Sequence, residues 1–216
     1  MIYVVGGIKG GSGKTTVATN LAVTLTLEGR DVLLVDADDQ ETATDFSAWR
    51  NERTEGRTGY TSIQLTGQQA RQELQRLAGK FEDVVIDTGG RDTTSQRAAL
   101  TVADIYLVPF NPRSFDVWTL EKVTRLIQEI QTVNPKLRSF AFLNRADSRG
   151  SDNQDAAEAL SDTDVIQFLD APLGNRKAYS NAAAQGLGVL ELHPADQKAA
   201  AEFRHLFDAV KRTGGE

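Results

Sequence analysis

A doubly wound, mostly parallel α/β sheet with helices on both faces is the architecture this sequence predicts. Three observations predict it. Short apolar runs alternate with segments of helical period along the whole chain. A glycine-rich loop separates the first apolar run, Ile2-Tyr3-Val4-Val5, from the first helical segment. Several apolar runs end in Asp or Asn, at the strand ends where such sheets place their ligands.

The elements follow in order. Residues 2–6 read as a buried strand. Residues 14–28 carry Val17, Leu21, Ala22 and Leu25 at helical spacing, and Gly29 stops them. Asp31 to Asp36 is a continuous apolar strand of the kind covered on both faces. Residues 43–54 read as a helix with Phe46 and Trp49 three apart on one face, and 61–65 as a short strand. Residues 67–80 form a polar amphipathic helix with Ala70, Leu74 and Leu77 inward. Val84 to Asp87 is the next core strand, followed by a helix at 93–102. Ile105 to Pro109 is another, its ladder expected to end at the proline. A long helix is expected at 116–133 through Leu120, Val123, Ile127 and Ile130. Strands at 140–143 and 165–168 flank a helix at 153–160. Helices at 176–186 and 195–212 close the series. No linker, repeat or low-complexity tract divides it, so one domain over 1–216 is expected.

Composition narrows the function classes. Hydrophobic residues make up 40% and charged residues 25%, as in a soluble globular protein. A net charge of −6 argues against a uniformly basic nucleic-acid surface, though not against a local basic patch. The absence of cysteine excludes disulfides, thiolate chemistry and a cysteine-held iron–sulfur cluster. No apolar stretch reaches the ~20 residues of a membrane span, and the N-terminus runs into a strand, so a cytoplasmic location is expected.

The glycine-rich loop carries the chemistry. Lys9 to Thr16 read Lys-Gly-Gly-Ser-Gly-Lys-Thr-Thr. Gly6, Gly7, Gly10, Gly11 and Gly13 let the backbone bring its N–H groups up to phosphate oxygens. The helix beginning near Lys14 points the positive end of its dipole at the same anion. Lys14 is placed to reach the outer phosphates and the Thr15 hydroxyl to ligate Mg²⁺. Lys9 is a second cation that an ordinary phosphate loop does not require.

With that second lysine the loop resembles the ParA/MinD family of P-loop ATPases, whose deviant phosphate loop opens on a signature lysine. The resemblance implies that Lys9 crosses a dimer interface to the partner's nucleotide. It implies a nucleotide site made of Lys9, Gly10, Gly11, Ser12, Gly13, Lys14, Thr15 and Thr16, with ATP and Mg²⁺ as ligands. The segment Asp36-Ala37-Asp38-Asp39-Gln40 resembles the family's D-x-D-P-Q. By that likeness Asp38 positions the attacking water and stands near the metal, and Asp36 and Gln40 support it. Asp39 departs from the family's proline, which bears on rate more than on reaction. Four apolar residues and Asp87 form a Walker B pattern, giving a metal-side carboxylate. Gly89 and Gly90 after it suit a switch segment that senses the γ-phosphate.

Other segments leave alternatives open. Pro109 to Asp116 resembles the family's proline segment near the dimer interface, and equally reads as a strand end with Ser114 or Asp116 capping the next helix. Asn144 ends a strand, either as an adenine ligand, as the resemblance implies, or as a turn residue. Arg176, Lys177, Lys198, Arg204, Lys211 and Arg212 are candidates for a non-specific DNA surface in the dimer, or ordinary solvated charges.

Taken whole, the resemblance covers nearly the full chain and points to the short ParA type. It implies an ATP-sandwich homodimer that binds nucleoid DNA, with hydrolysis stimulated by a ParB-like centromere-binding protein, in plasmid or chromosome partition. A MinD-like membrane-cycling ATPase is an alternative, but Phe203, Leu206, Phe207 and Val210 read as a core stripe, not a membrane face. A metabolic enzyme of the same fold, such as a dethiobiotin synthetase relative, lacks a substrate signal. A positioning ATPase for a non-DNA cargo would share every motif.

Overall fold

A computed structural model describes residues 1–67, 70–115, 117–147 and 151–214. Its strands are β1 (Ile2–Val5), β2 (Val32–Ala37), β3 (Thr61–Gln64), β4 (Asp83–Thr88), β5 (Ile105–Phe110), β6 (Arg138–Ala146), β7 (Gln167–Phe168) and β8 (Leu173–Gly174). Its helices are α1 (Lys14–Leu27), α2 (Thr42–Arg53), α3 (Ala70–Ala78), α4 (Thr94–Leu100), α5 (Val117–Gln131), α6 (Asp152–Ser161), α7 (Lys177–Ala183) and α8 (Gln197–Gly214). The strands form one eight-stranded sheet ordered β3-β2-β4-β1-β5-β6-β7, with β8 on the far end of β6. Every pairing is parallel. All the C-terminal strand ends therefore open on one edge, and β1 at the centre delivers the glycine-rich loop there.

The two faces bury separate cores. One is built from α1, α7 and α8 and includes Leu21, Phe203 and Phe207. The other is built from α3, α4, α5 and α6 and includes Leu74, Leu100 and Ile127. β2, β4 and β5 are buried along their whole lengths, which is why they read as unbroken apolar runs. α1 is buried so completely that its polar residues turn back on the helix. Thr19 and Thr24 hydroxyls donate to the Thr15 and Asn20 carbonyls at 2.8 Å each. The stripe Phe203, Leu206, Phe207 and Val210 of α8 is buried against the sheet.

Local departures from expectation have physical reasons. Pro109 lies inside β5, paired in register with Phe142, and the strand ends one residue later. The Leu107 carbonyl faces β1, where it accepts from the Gly6 N–H at 3.0 Å, so Pro109, two residues on, faces the same side beyond the end of β1. No ladder bond is lost there. On α2 the buried positions are Ala43, Ser47 and Arg50, while Phe46 sits at the margin and Trp49 is 43% exposed. Arg176 precedes α7 in extended conformation. Asp116, one of the two expected helix caps, lies outside the described residues.

Candidate nucleotide site

Gly13, the residue before α1, has φ +87°. A Cβ there would lie 2.2 Å from the Asn144 amide nitrogen, so the position needs glycine twice over. No side chain caps α1 and no acidic residue occupies its first turn. Its free N–H groups and dipole face a cavity of about 650 Å³. Gly10, Gly11, Gly13, Lys14, Thr15 and Thr16 line that cavity, opposite Asp38, Asp39 and Gln40 and beside Gly89 and Gly90. The structure thus brings together on one wall most of the loop residues singled out above. Ile8 stands where the general pattern G-x-x-x-x-G-K-[ST] has its first glycine.

The electrostatics are those of a site built for an anion and a cation. Lys14 is buried, and its ammonium donates to the Lys9 carbonyl at 3.1 Å. Burial pulls its pKa below the ordinary lysine value, and the nearby Asp87 and Asp38 carboxylates offset part of that. Asp87 is fully buried at the end of β4. Neither of its oxygens has a hydrogen-bond partner, since the neighbouring Thr15 hydroxyl does not complete a bond of ordinary geometry. Burial pushes its pKa up to about 7, with Asp36 and Asp38 adding to the rise and Thr15 and Lys14 opposing it. Asp36 is its register partner on β2, which explains the repulsion.

Asp36 itself is fully satisfied. It accepts from the Asp38 N–H at 3.1 Å and from the Thr44 N–H and hydroxyl at 2.8 and 2.9 Å. It therefore holds both ends of the loop that carries Asp38. The Asp38 carboxylate lies against Gly89, where a Cβ would be 3.0 Å from its oxygen. Gly90 approaches Gly10 backbone to backbone, 2.8 Å from a Cβ position, so the β4–α4 loop touches the phosphate loop directly. Gln96, fully buried, adds a second link unnoticed in the sequence. With its amide oriented to satisfy both ends, it donates to the Gly7 and Arg91 carbonyls at 3.2 and 3.1 Å and accepts from the Tyr106 hydroxyl.

The remaining candidates lie elsewhere. Lys9 borders a small separate cavity with Val108, Pro109, Phe110 and Asn111, outside the lining of the large one. Asn144 is buried, and its amide donates to the Ser12 carbonyl at 2.7 Å while its oxygen accepts from the Arg145 N–H. Arg145 lines the large cavity instead. A second cavity, of about 360 Å³ between Ala146 and Arg176, starts at the next residue. Of the six basic candidates, Arg176 is held by Glu202 and Lys211 by Glu28. Lys177, Lys198, Arg204 and Arg212 are exposed.

These residues fit ATP and Mg²⁺. Among the described residues no cluster of three or more His, Cys, Asp or Glu is placed to hold a metal alone. Mg²⁺ asks for less, typically one or two carboxylates, phosphate oxygens and waters. The unpartnered Asp87 carboxylate beside the Thr15 hydroxyl supplies that. The matching family, described as "CobQ/CobB/MinD/ParA nucleotide binding domain", spans residues 3–189. This chain belongs to that family. It is a P-loop ATPase of the ParA/MinD type. It is 32% identical to "Maintenance of carboxysome distribution protein A" of Gloeobacter kilaueensis, over 94% of this chain and 91% of the relative. The protein of the same name from Halothiobacillus neapolitanus is 27% identical, over 95% and 94%. An ATP complex of an McdA variant from Cyanothece superposes with TM-score 0.80 at 18% identity, covering 97% of this chain and 96% of that one. No described helix is long and apolar enough to cross a membrane.

Proposed function

We propose that this chain is a Mg²⁺-dependent ATPase that closes into an ATP-sandwich homodimer, binds DNA non-specifically in that state, and positions a cargo by cycles of hydrolysis. The observation that carries the proposal is the division of labour between two lysines of one loop. Lys14 is buried in the phosphate cavity, while Lys9 borders a separate cavity on its flank. A cation so placed is suited to serve a nucleotide in a facing copy. Bringing two such loops together without triphosphate would desolvate like charges, so ATP acts as the interfacial counter-ion.

In this reading Lys14 and the α1 N-terminus hold the phosphates, and Thr15 and Asp87 hold Mg²⁺. Held there, Mg²⁺ would neutralise charge on the phosphates. Asp38, anchored through Asp36 and braced on Gly89, orients the attacking water. The Gly89-Gly90 segment reports the γ-phosphate through its contact with Gly10. The names of the two curated relatives favour a large protein assembly as cargo over a plasmid. Lys177, Lys198, Arg204 and Arg212 are the cations available to a DNA matrix.

Sedimentation velocity tests the core of this. With ATP the wild-type chain should dimerise, and Lys9→Ala should stay monomeric while still binding nucleotide. A Lys9→Ala dimer as stable as wild type would remove the sandwich. Asp38→Ala should keep the dimer and lose turnover by roughly a hundredfold or more. Partition of the ATP-loaded protein onto liposomes instead of DNA would favour the membrane-cycling alternative.

A further inference from the structure

We infer that Arg145 is a further nucleotide-binding residue, a cation that meets the nucleoside-proximal phosphate of the bound nucleotide. This rests on the nucleotide reading above. Three observations converge on the residue. Arg145 has φ +57°, a left-handed backbone that L side chains adopt at a cost and that glycine adopts freely. It is also the extra residue of a β-bulge, for Asn144 pairs with Leu173 and Ala146 with Gly174, leaving Arg145 outside the ladder. Bulges of this kind re-aim a side chain beside a site. And the re-aimed side chain lines the phosphate cavity, exposed, with no side-chain hydrogen bond or ion pair among the described residues.

Its position selects which phosphate. The Arg145 Nε lies 4.0 Å from where a Gly13 Cβ would stand, over the last turn of the loop before α1. Asn144, one residue back, ties β6 to the Ser12 carbonyl and so fixes the distance between strand end and loop. Lys14, in contrast, points towards the Lys9 carbonyl and the Asp87–Asp38 side of the cavity. The two cations therefore approach from different sides, and the second, smaller cavity begins at Ala146, next to Arg145. Arg145 stands where the phosphate wall gives way to that cavity. A guanidinium there offers planar, charge-assisted hydrogen bonds to the phosphate nearest the nucleoside.

The test separates this role from γ-phosphate sensing and from a purely structural bulge. Arg145→Ala, Arg145→Gly and Arg145→Lys are titrated by calorimetry with Mg·ADP and with a non-hydrolysable Mg·ATP analogue. Ala and Gly should weaken both nucleotides by a similar factor, roughly tenfold to a hundredfold, and Lys should recover part of it. Arg145→Gly should also melt higher than wild type without nucleotide, by about 2–4 °C, because the left-handed strain is gone. Tighter folding with weaker binding is the signature expected. Unchanged affinity for both nucleotides, or loss confined to the ATP analogue, overturns the assignment of Arg145 alone. A wild-type chain that binds neither nucleotide sinks the nucleotide reading with it.

Discussion

Two groups of buried charge can be set side by side in this molecule. At the α2–C-terminal junction, Arg50 is 4% exposed and each of its three guanidinium nitrogens donates. It makes two bonds to Glu191 at 2.7 and 2.9 Å, one to the Thr58 carbonyl at 2.8 Å and one to the Gly186 carbonyl at 2.9 Å. The Tyr60 ring lies 5.9 Å beneath it. At the strand ends, Asp87 is just as deeply buried and neither of its oxygens is bonded. The first group is closed upon itself. The second has a place for something the chain does not supply. A buried charge with complete partners speaks for architecture, and one without them speaks for a ligand.

The largest expected effect breaks the closed group. Arg50→Met should cost about 3–5 kcal/mol of stability by stripping the half-buried Glu191 carboxylate of its cation and leaving the Thr58 and Gly186 carbonyls without their donor. Adding Glu191→Leu should recover part of the loss, and only part, because the Thr58 and Gly186 carbonyls remain unpaired. Denaturant titration of both variants measures this, and a single variant as stable as wild type would refute the closed network.

The next prediction inverts the sign at the open group. Asp87 is pushed up to about 7 from 3.8, so the empty protein binds a proton there that the unfolded chain has lost. Its contribution is fully favourable below about pH 4 and fades as pH rises through about 7. Asp87→Asn should therefore stabilise the nucleotide-free protein relative to wild type at pH 8, on the order of 4 kcal/mol at its fullest, and hardly at all at pH 4. The same variant should lose Mg²⁺-dependent turnover. Melting curves in metal-free buffer read the first effect, and a difference that stays flat from pH 4 to pH 8 would count against it.

The smallest effect marks the boundary of the argument. Trp118 is 75% exposed at the start of α5. Trp118→Ala should change the monomer's stability by less than about 0.5 kcal/mol. A larger loss would contradict the exposed placement of that side chain.

What could be read from the sequence follows the range of the interactions. The phosphate loop is local, so Lys14, Thr15 and the glycines were legible, as were the continuous apolar strands. β8 was not, because its two residues, Leu173 and Gly174, follow Pro172 and carry no alternation. Arg50 gives no local signal, because its partner stands 141 positions away and a lone Arg on a helix reads as solvated. Spacing places Phe46 and Trp49 on one face of α2 but does not show that Trp49 lies at the surface, where its indole donates to the Ala184 carbonyl at 2.9 Å. Arg145 gives no signal in the sequence, since a backbone angle and a bulge leave no trace in residue type.

Asp36 grips Asp38 on one side and the first turn of α2 on the other, while Arg50 rivets that helix to the C-terminal third of the chain. Between the two grips runs a leash of exposed residues, Asp39, Gln40, Glu41 and Thr42. Only the leash can lengthen or stiffen without breaking a buried bond. Under the proposed mechanism, substitutions at those four positions should change the rate of turnover while leaving the buried anchors of Asp36 and Arg50 in place.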